Sequence, residues 1–202
     1  MPRSQRLSAL WDRRARGWAS PRSEAKYFGP NRRWICARAV GATLEVGCGT
    51  GANFAYLGPD ITLTALDFAP KMVQTSRAAA ATLGRQVHLQ VANAQALPFA
   101  DGQFDCVIST WTLCCVEDEV KAVSEMARVL KPGGRLLLVD HIKSSNRLIG
   151  LAQRLVEIVS VPLSGEHYTR RPLKTATDLG LEVVASERSH LGITERLQAT
   201  KK

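Results

Sequence analysis

Three glycines at alternate positions follow an acidic residue near the end of an apolar segment. The acidic residue is Glu45, and Gly47, Gly49 and Gly51 come after it. Glycine tolerates positive φ and has no Cβ, so this spacing predicts a tight turn whose bare backbone a ligand can approach. A helix is expected to begin at about Ala52 and to direct its free N–H groups at that ligand. The turn is therefore expected to bind a nucleotide-like molecule.

Polar residues also follow the next strand-like segments of the chain. Asp67 ends the second segment, twenty residues after the first glycine, and a carboxylate there can accept both hydroxyls of a ribose. Asn93 and Ala94 follow the third segment and could contact an adenine edge, while Thr110 and His141 end the fourth and the fifth. Because ligands bind beyond the carboxyl ends of the strands in an open α/β sheet, we expect all of these residues at one edge.

The elements that must position these residues alternate along the chain. Short β-branched apolar segments separated by helical patterns predict an α/β fold, Rossmann-like and doubly wound, with a mostly parallel seven-stranded sheet. The predicted strands cover 42–46, 61–67, 86–92, 104–110, 135–141, 181–187 and 193–200. The predicted helices cover 52–57, 70–83, 118–130, 146–159 and 171–179. Two further helices, near 4–18 and 22–39, predict an N-terminal helical arm over residues 1–38 and one domain over 39–202.

The positive charge of the chain is concentrated in the arm. The 202 residues carry a formal net charge of +9. Residues 1–38 hold ten Lys or Arg against two acidic residues, whereas the rest of the chain holds 17 against 16. Aromatic residues lie among these arginines, and basic plus aromatic residues are what a helix on an anionic membrane requires. The arm is predicted to make peripheral membrane contact or, alternatively, to present a solvated basic face.

Cysteine usage and hydropathy indicate the compartment. The five cysteines form no CxxC pair and have no metal-ligand spacing with the four histidines, so no metal is expected. The N-terminal residues are too polar for a secretory signal, and no apolar segment approaches the ~20 residues of a membrane span. We therefore expect a cytoplasmic protein, in contact with a membrane at most peripherally.

The ordered set of motifs resembles the class I S-adenosylmethionine-dependent methyltransferases over roughly residues 42–142. The motifs are Glu45-x-Gly47-x-Gly49-x-Gly51, Asp67, the run Asn93-Ala94-Gln95-Ala96-Leu97-Pro98-Phe99, Phe104-Asp105 and the run Arg128-Val129-Leu130-Lys131-Pro132-Gly133-Gly134. A nicotinamide-binding fold is the structural rival. Its fingerprint requires Gly-x-Gly-x-x-Gly, which this turn does not have.

The resemblance implies S-adenosylmethionine as the cofactor and the residues that bind it. These are Glu45, Gly47, Cys48, Gly49, Gly51, Asp67, Phe68, Asn93, Ala94, Thr110, Trp11 and Trp18. In this pattern the glycine turn holds the methionine part, the carboxylate holds the ribose, and the amide, which is usually Asp in the family, contacts the adenine. The segment Trp11-Asp12-x-x-Ala15-x-x-Trp18 resembles the Tyr-Asp-x-x-Ala-x-x-Tyr segment that caps the cofactor in quinone and lipid methyltransferases.

The resemblance also implies the reaction, which is methyl transfer to a small-molecule or lipid-like acceptor through a thiol, amine or hydroxyl/quinol group. Displacement at a sulfonium mainly requires alignment of the acceptor and exclusion of water. His141 is the candidate base, or else a histidine hydrogen-bonded in a strand–helix turn. His167, Tyr168 and Arg170 are candidate acceptor-binding residues, or else part of a solvated loop.

An apolar stripe at helical spacing covers 148–163. Such stripes usually pack on the sheet, and in this family the segment after the fifth strand tends to cover the acceptor site.

Two other functions stay open. A nucleic-acid methyltransferase would use the basic arm, although its Asn/Asp-Pro-Pro-aromatic motif is replaced by Ser109-Thr110-Trp111-Thr112. The second open function is that of a non-catalytic cofactor-binding protein that docks at membranes.

Overall fold

The computed structural model describes residues 3–14 and 24–202, and a seven-stranded sheet forms its centre. The strands are β1 (Ala42–Val46), β2 (Thr62–Asp67), β3 (Val87–Val91), β4 (Phe104–Thr110), β5 (Leu130–His141), β6 (Glu182–Ser189) and β7 (Thr194–Thr200). Their order is β3-β2-β1-β4-β5-β7-β6. Strands β1 to β5 pair in parallel, and β7 is antiparallel to both of its neighbours. The predicted Rossmann-like, mostly parallel sheet is confirmed.

Six α-helices accompany the sheet in the described ranges. They are α1 (Arg3–Arg14), α2 (Gly29–Cys36), α3 (Pro70–Thr82), α4 (Glu119–Val129), α5 (Arg147–Ser164) and α6 (Pro172–Asp178). Local sequence signals account for several of their ends. The side chains of Asp118 and Asn146 accept backbone N–H groups at the starts of α4 and α5. Gly165 ends α5 at φ 73°, a conformation that glycine adopts without strain.

The hydrophobic core occupies both faces of the sheet. On one face, Leu44 and Leu136 pack with Met126 of α4. On the other, Ile108 of β4 packs with Ile35 of α2. Part of the predicted arm therefore belongs to the core, since α2 lies within residues 1–38. The division between an arm and a domain over 39–202 stays a prediction.

Two predicted elements differ from the structure near the sheet. Residues 52–57 form successive tight turns instead of a helix, with the N–H of Phe54 donating to the Gly51 carbonyl. The side chain of Asn53 is fully buried in polar contacts there, which hold the chain in that path. Strand β5 begins earlier than predicted, because Leu130 already pairs with Phe104 and residues 131–134 bulge before the ladder resumes.

The predicted packing of the apolar stripe over 148–163 is wrong. Leu148 is 79% exposed, Ile158 is 70% exposed and Leu163 is 72% exposed, so the stripe faces solvent. The reason is that the opposite side of α5 is polar and hydrogen-bonds to the rest of the protein.

None of the helices in the described part of the chain has both the length and the apolar character that crossing a bilayer requires.

Candidate active site

A cavity of about 470 Å³ lies at the carboxyl ends of β1, β2 and β4. Most of the predicted cofactor-binding residues line it, namely Trp11, Gly47, Cys48, Gly49, Asp67, Phe68, Asn93, Ala94 and Thr110. Glu45 and Gly51 do not line the cavity, and Trp18 lies outside the described residues. Helix α1 closes one side with Leu7 and Trp11, which pack with Phe68 and Met72.

The three glycines of the turn have different roles. All have positive φ, +74° at Gly47, +53° at Gly49 and +79° at Gly51. A Cβ on Gly47 would lie 2.1 Å from Oγ1 of Thr112, and one on Gly51 would lie 2.7 Å from Cε2 of Phe54. A Cβ on Gly49 would meet nothing within 4 Å. Gly47 and Gly51 are therefore needed for close packing, and Gly49 is the one of the three that leaves the space of a side chain open to a ligand.

Asp67 lies beside that open glycine on the cavity wall. Its Oδ2 accepts the N–H of Gly49 at 3.0 Å, and its Oδ1 accepts the N–H of Ala69 at 2.9 Å. Burial raises the pKa of Asp67, and its backbone hydrogen bonds oppose the rise. Each carboxylate oxygen has a second lone pair, so the group can still accept two hydroxyl groups from a ligand in the cavity.

Glu45 acts from behind the cavity wall. It is 1% exposed, and its Oε1 accepts Nδ2 of Asn53 at 2.8 Å. Asn53 in turn accepts Nη1 of Arg32 at 2.8 Å and donates to Oγ1 of Thr110 at 3.1 Å. Burial raises the pKa of Glu45 to about 7. Glu45 thus positions two residues that line the cavity, and its predicted contact with the cofactor stays a prediction.

Sequence reasoning missed several residues of the cavity wall, and Arg32 and Trp111 are the two with the strongest bearing on ligand binding. Arg32 is 6% exposed and pairs with Glu24 at 3.1 Å, and its guanidinium lies 5.2 Å from the centroid of the Trp111 ring. The sequence counted Arg32 only as part of the basic arm, and no spacing linked it to the glycine turn. Trp111 has φ +50°, which is unusual for a bulky residue and typical of functional sites. The sequence feature that could have identified Trp111 as a cavity residue is its position directly after Thr110, at the end of β4.

Asn93 offers less to a ligand than the sequence suggests. Its Oδ1 already accepts the backbone N–H of Gln95 at 2.9 Å and lies 3.3 Å from Nε2 of the same residue. The acceptor of this amide therefore stabilises the local turn, as asparagine commonly does. The Nδ2 donor is the group that remains for a ligand in the cavity.

Two cysteines line the cavity and differ in exposure. Cys48 is buried, and burial raises the pKa of its thiol well above the usual range. Cys115 is half-buried, and its Sγ lies 3.5 Å from Sγ of Cys114. Thiolates are the reactive form of cysteine, so Cys48 serves as a small apolar wall residue.

The structure does not bring His141 to the cavity wall. Its Nε2 lies 3.2 Å from Oη of Tyr27, which lies 2.6 Å from Oγ1 of Thr194. The Tyr27 ring is 5.9 Å from the ring of Trp111, centroid to centroid, so Tyr27 contacts both His141 and a residue of the cavity wall. These contacts agree with the alternative prediction of a hydrogen-bonded histidine in the turn after the fifth strand.

The three predicted acceptor-binding residues support the cavity from outside. None of His167, Tyr168 and Arg170 lines it. Nη2 of Arg170 donates to the carbonyl of Val116 at 2.7 Å, and Val116 lines the cavity. The N–H of His167 donates to the carbonyl of Cys114 at 2.7 Å. The loop therefore holds the wall segment that follows β4, and direct contact with an acceptor stays a prediction.

One cluster in the described part of the chain has the residue types of a metal site. Ligand atoms of Cys114, Asp140 and His141 lie within 4.8 Å of one another. The Asp140 carboxylate, however, accepts the N–H groups of Leu113 at 2.7 Å, Cys114 at 3.3 Å and His141 at 2.8 Å. Asp140 therefore binds backbone N–H groups of the turn after β4, which accounts for its place in the cluster. The expected absence of a metal stays a prediction.

Comparison with known proteins gives a consistent result. Residues 44–138 match the family described as a methyltransferase domain. The ubiquinone/menaquinone biosynthesis C-methyltransferase of Hahella chejuensis is 36% identical over 134 residues, which cover 63% of this chain and 54% of that protein. A human thiol S-methyltransferase is 36% identical over 107 residues, which cover 50% of this chain and 43% of that protein. The chain thus spans about half the length of these curated relatives.

The fold also matches solved structures along its whole length. Geranyl diphosphate C-methyltransferase from Streptomyces coelicolor, crystallised with Mg²⁺, geranyl diphosphate and S-adenosyl-L-homocysteine, superposes with a TM-score of 0.77. The match covers 100% of this chain and 99% of that one at 15% identity. At this identity the similarity establishes the fold alone.

Proposed function

We propose that this chain is a class I S-adenosylmethionine-dependent methyltransferase, a proposal supported by the methyltransferase-domain match and by its curated relatives, and that it methylates a small apolar acceptor through a thiol, amine or hydroxyl/quinol group. One observation carries the proposal. The Asp67 carboxylate accepts the N–H of Gly49 at 3.0 Å on the wall of the cavity, beside the open space where a side chain at that glycine would lie. A carboxylate next to bare backbone is the donor and acceptor set that an adenosine derivative requires.

The residues of the cavity suit each part of the cofactor. Asp67 would hold the ribose hydroxyls, and Nδ2 of Asn93 with the backbone of Ala94 would hold the adenine. Phe68 and Trp11 supply apolar surface for the base and the cap. When bound, S-adenosylmethionine supplies the activated methyl group.

Arg32 would hold the methionine carboxylate. Its guanidinium is fixed on two sides, by Oε1 of Glu24 at 3.1 Å and by Oδ1 of Asn53 at 2.8 Å, and Arg32 also lines the cavity. A guanidinium fixed in this way recognises a carboxylate with little loss of side-chain entropy.

The acceptor side of the cavity favours an apolar molecule. Trp111 and Val116 line it, and these side chains can align an acceptor and exclude water. The names of the two curated relatives point to small-molecule acceptors: one is a thiol S-methyltransferase, which supports a thiol acceptor, and the other is a quinone-pathway C-methyltransferase, whose name places the methyl group on carbon. Proton removal by His141 stays part of the proposal only as an indirect role, through its contact with Tyr27.

Calorimetric titration with S-adenosylmethionine tests the cofactor site. Asp67→Ala removes the acceptor for two ribose hydroxyls, and hydrogen bonds to a charged group contribute about 1.5–3 kcal/mol each, so we expect at least about a hundredfold loss of affinity. Asp60→Ala is the matched control, because Asp60 is exposed and lies away from the cavity. Unchanged binding by Asp67→Ala, with both variants folded, would count against the proposal.

A screen with labelled cofactor tests the reaction. The panel contains aliphatic and aromatic thiols, phosphatidylethanolamine, quinols and single- and double-stranded oligonucleotides, and the product mass is determined. Label transferred to a thiol, lipid or quinol supports the proposal. Transfer to oligonucleotides alone favours the nucleic-acid alternative, and cofactor binding without any transfer favours a non-catalytic protein.

The proposals on location concern the arm and the compartment. A cytoplasmic location is proposed from the sequence and is tested by fractionation of cells that express the tagged chain. Membrane contact through the arm is proposed from its charge, although Trp11 and Trp34 of the arm are buried. Because α2 belongs to the core, deletion of residues 1–38 would disrupt the fold. The double variant Arg6→Gln with Arg13→Gln keeps α2, so loss of vesicle flotation by this variant is the better test of membrane contact through the arm.

A further inference from the structure

The side of α5 that faces away from the protein is almost entirely apolar. This outward face consists of Leu148, Leu151, Leu155, Ile158, Val159 and Leu163. Each of these side chains is more than half exposed. We propose that the outward face of α5 docks on an anionic phospholipid bilayer, with the helix lying along the membrane surface.

Polar contacts fix the orientation of α5. Nε2 of Gln153 donates to the carbonyls of Ile142 and Tyr168, both at 2.9 Å, and its Oε1 accepts the N–H of Ser144 at 2.8 Å. Oε1 of Glu157 accepts the backbone N–H groups of Tyr168 and Thr169. Rotating the helix to bury its leucines would break these bonds. The exposure of the apolar face is therefore built into the fold, and it is the reverse of the usual arrangement in a globular protein.

The size of the face suits a surface contact. The 18 residues of α5 correspond to a length of about 27 Å. Contiguous apolar patches of this kind mark sites of protein or membrane interaction. The exposed apolar residues recur along one side of the helix, as in helices that lie in the membrane interface.

The surrounding charges favour an anionic bilayer. A cavity of about 460 Å³ next to the first turns of α5 is lined by Lys143, Arg147, Arg154, Arg171 and Arg188. Of these cations, Arg188 pairs with a carboxylate at 3.0 Å, and within residues 3–14 and 24–202 no ion pair engages the other four. The single acidic residue of α5 faces inward. Phosphate headgroups complement such a cluster, whereas a second copy of a chain with net charge +9 would bring like charges together.

The same contacts connect the membrane face to the active site. The inner side of α5 binds the backbone at Tyr168 and Thr169, and Arg170 of that loop binds the cavity wall at Val116. Docking through α5 would place the cavity wall close to the bilayer, from which an apolar acceptor could enter. The docking proposal does not require methyl transfer and would hold for a chain without activity.

Flotation of the full-length chain with vesicles tests the proposal. Vesicles of phosphatidylcholine alone are compared with vesicles of equal parts phosphatidylcholine and phosphatidylglycerol, at low and at high salt. We expect flotation with the anionic vesicles and its reduction by salt. Leu155→Ser with Ile158→Ser is expected to lower the partition coefficient at least about tenfold. Arg147→Gln with Arg154→Gln is expected to lower it about tenfold on anionic vesicles only.

Two matched controls separate this face from other surfaces. Leu83→Ser with Val120→Ser changes exposed apolar residues directly after α3 and in α4 and is expected to leave flotation unchanged. Arg6→Gln with Arg13→Gln tests the arm. The proposal is overturned if the wild type stays in the dense bottom fraction, if the α5 variants float like the wild type, or if only the arm variant loses flotation. Concentration-dependent dimerisation abolished by the α5 apolar variant, without vesicle binding, would instead identify a second copy as the occupant and also overturn it.

Discussion

Gly49→Ala and Gly84→Ala form a matched pair that separates ligand space from backbone strain. Gly49 has φ +53° and Gly84 has φ +60°, and a Cβ at either position would meet nothing within 4 Å. The two differ in one respect, because Gly49 lines the cavity and Gly84 lies in an exposed turn after α3.

The two substitutions are expected to cost the same stability and to differ in ligand binding. A left-handed conformation costs an L-residue roughly 1–2 kcal/mol, which corresponds to a melting temperature lower by roughly 2–8 °C for a chain of this size. The new methyl group of Gly49→Ala occupies the space proposed for the cofactor backbone contact. We expect at least a tenfold loss of affinity, or about 1.4 kcal/mol, for Gly49→Ala and none for Gly84→Ala.

Calorimetry measures both quantities on the same samples. Thermal unfolding without ligand gives the cost of strain, and titration with S-adenosylhomocysteine gives the affinity. Equal affinity in Gly49→Ala and the wild type would refute the assignment of this glycine to the ligand. A loss of affinity in Gly84→Ala as well would show that strain, and not lost space, weakens binding.

Three further predictions concern the turn and its surroundings. Gly47→Ala places its Cβ 2.1 Å from Oγ1 of Thr112 at φ +74°, so we expect more than about 3 kcal/mol of destabilisation, measured by denaturant unfolding. The double variant Gly47→Ala and Thr112→Gly should recover only part of that loss, because it relieves the clash and leaves the left-handed strain. Burial raises the pKa of Glu45 from 4.5 to about 7, so the folded protein holds a proton that the unfolded chain has released. Its contribution to the free energy of unfolding therefore falls as pH rises through that window, by up to about 1.4 kcal/mol per pH unit, and Glu45→Gln should flatten the pH profile of unfolding. Cys115 is the half-buried cysteine and lines the cavity, so a maleimide should label this residue first, Cys115→Ser should abolish that label, and S-adenosylhomocysteine should slow it.

The sheet could be predicted from the sequence because its signals are local. Strands β1, β2 and β4 are short, largely apolar segments, and the observed strands lie close to the predicted ones from Ala42–Val46 to Thr194–Thr200. The turns over 52–57 could not be predicted, because the polar contacts of Asn53 with Glu45 and Arg32 depend on segments far apart in the chain. Hydrophobic periodicity cannot predict them either, because it describes the residues of one segment and not its contacts with others.

The site could be predicted where it follows the strands and not where it depends on packing. Asp67 and Asn93 line the cavity as their places after β2 and β3 require. His141 also stands at the end of a strand, yet it does not line the cavity and its ring contacts Tyr27, and nothing in the sequence relates these two residues. Arg32 was missed for the same reason, since α2 reaches the cavity only when it packs on the sheet.

The sources of the cavity walls suggest how specificity is divided. Its floor consists of backbone and polar groups at the strand ends, such as Gly49 and Asp67, which would recognise the part of the ligand common to the whole family. Its upper walls come from α1 and from the segment after β4, with Trp11 and Val116, and both elements lie outside the strand ladder of the sheet. Changes in the walls can therefore alter the acceptor without loss of the cofactor site. Val116 depends on a hydrogen bond from Arg170, so a change far from the cavity, at the loop that α5 holds, is expected to shift the choice of acceptor while leaving cofactor affinity intact.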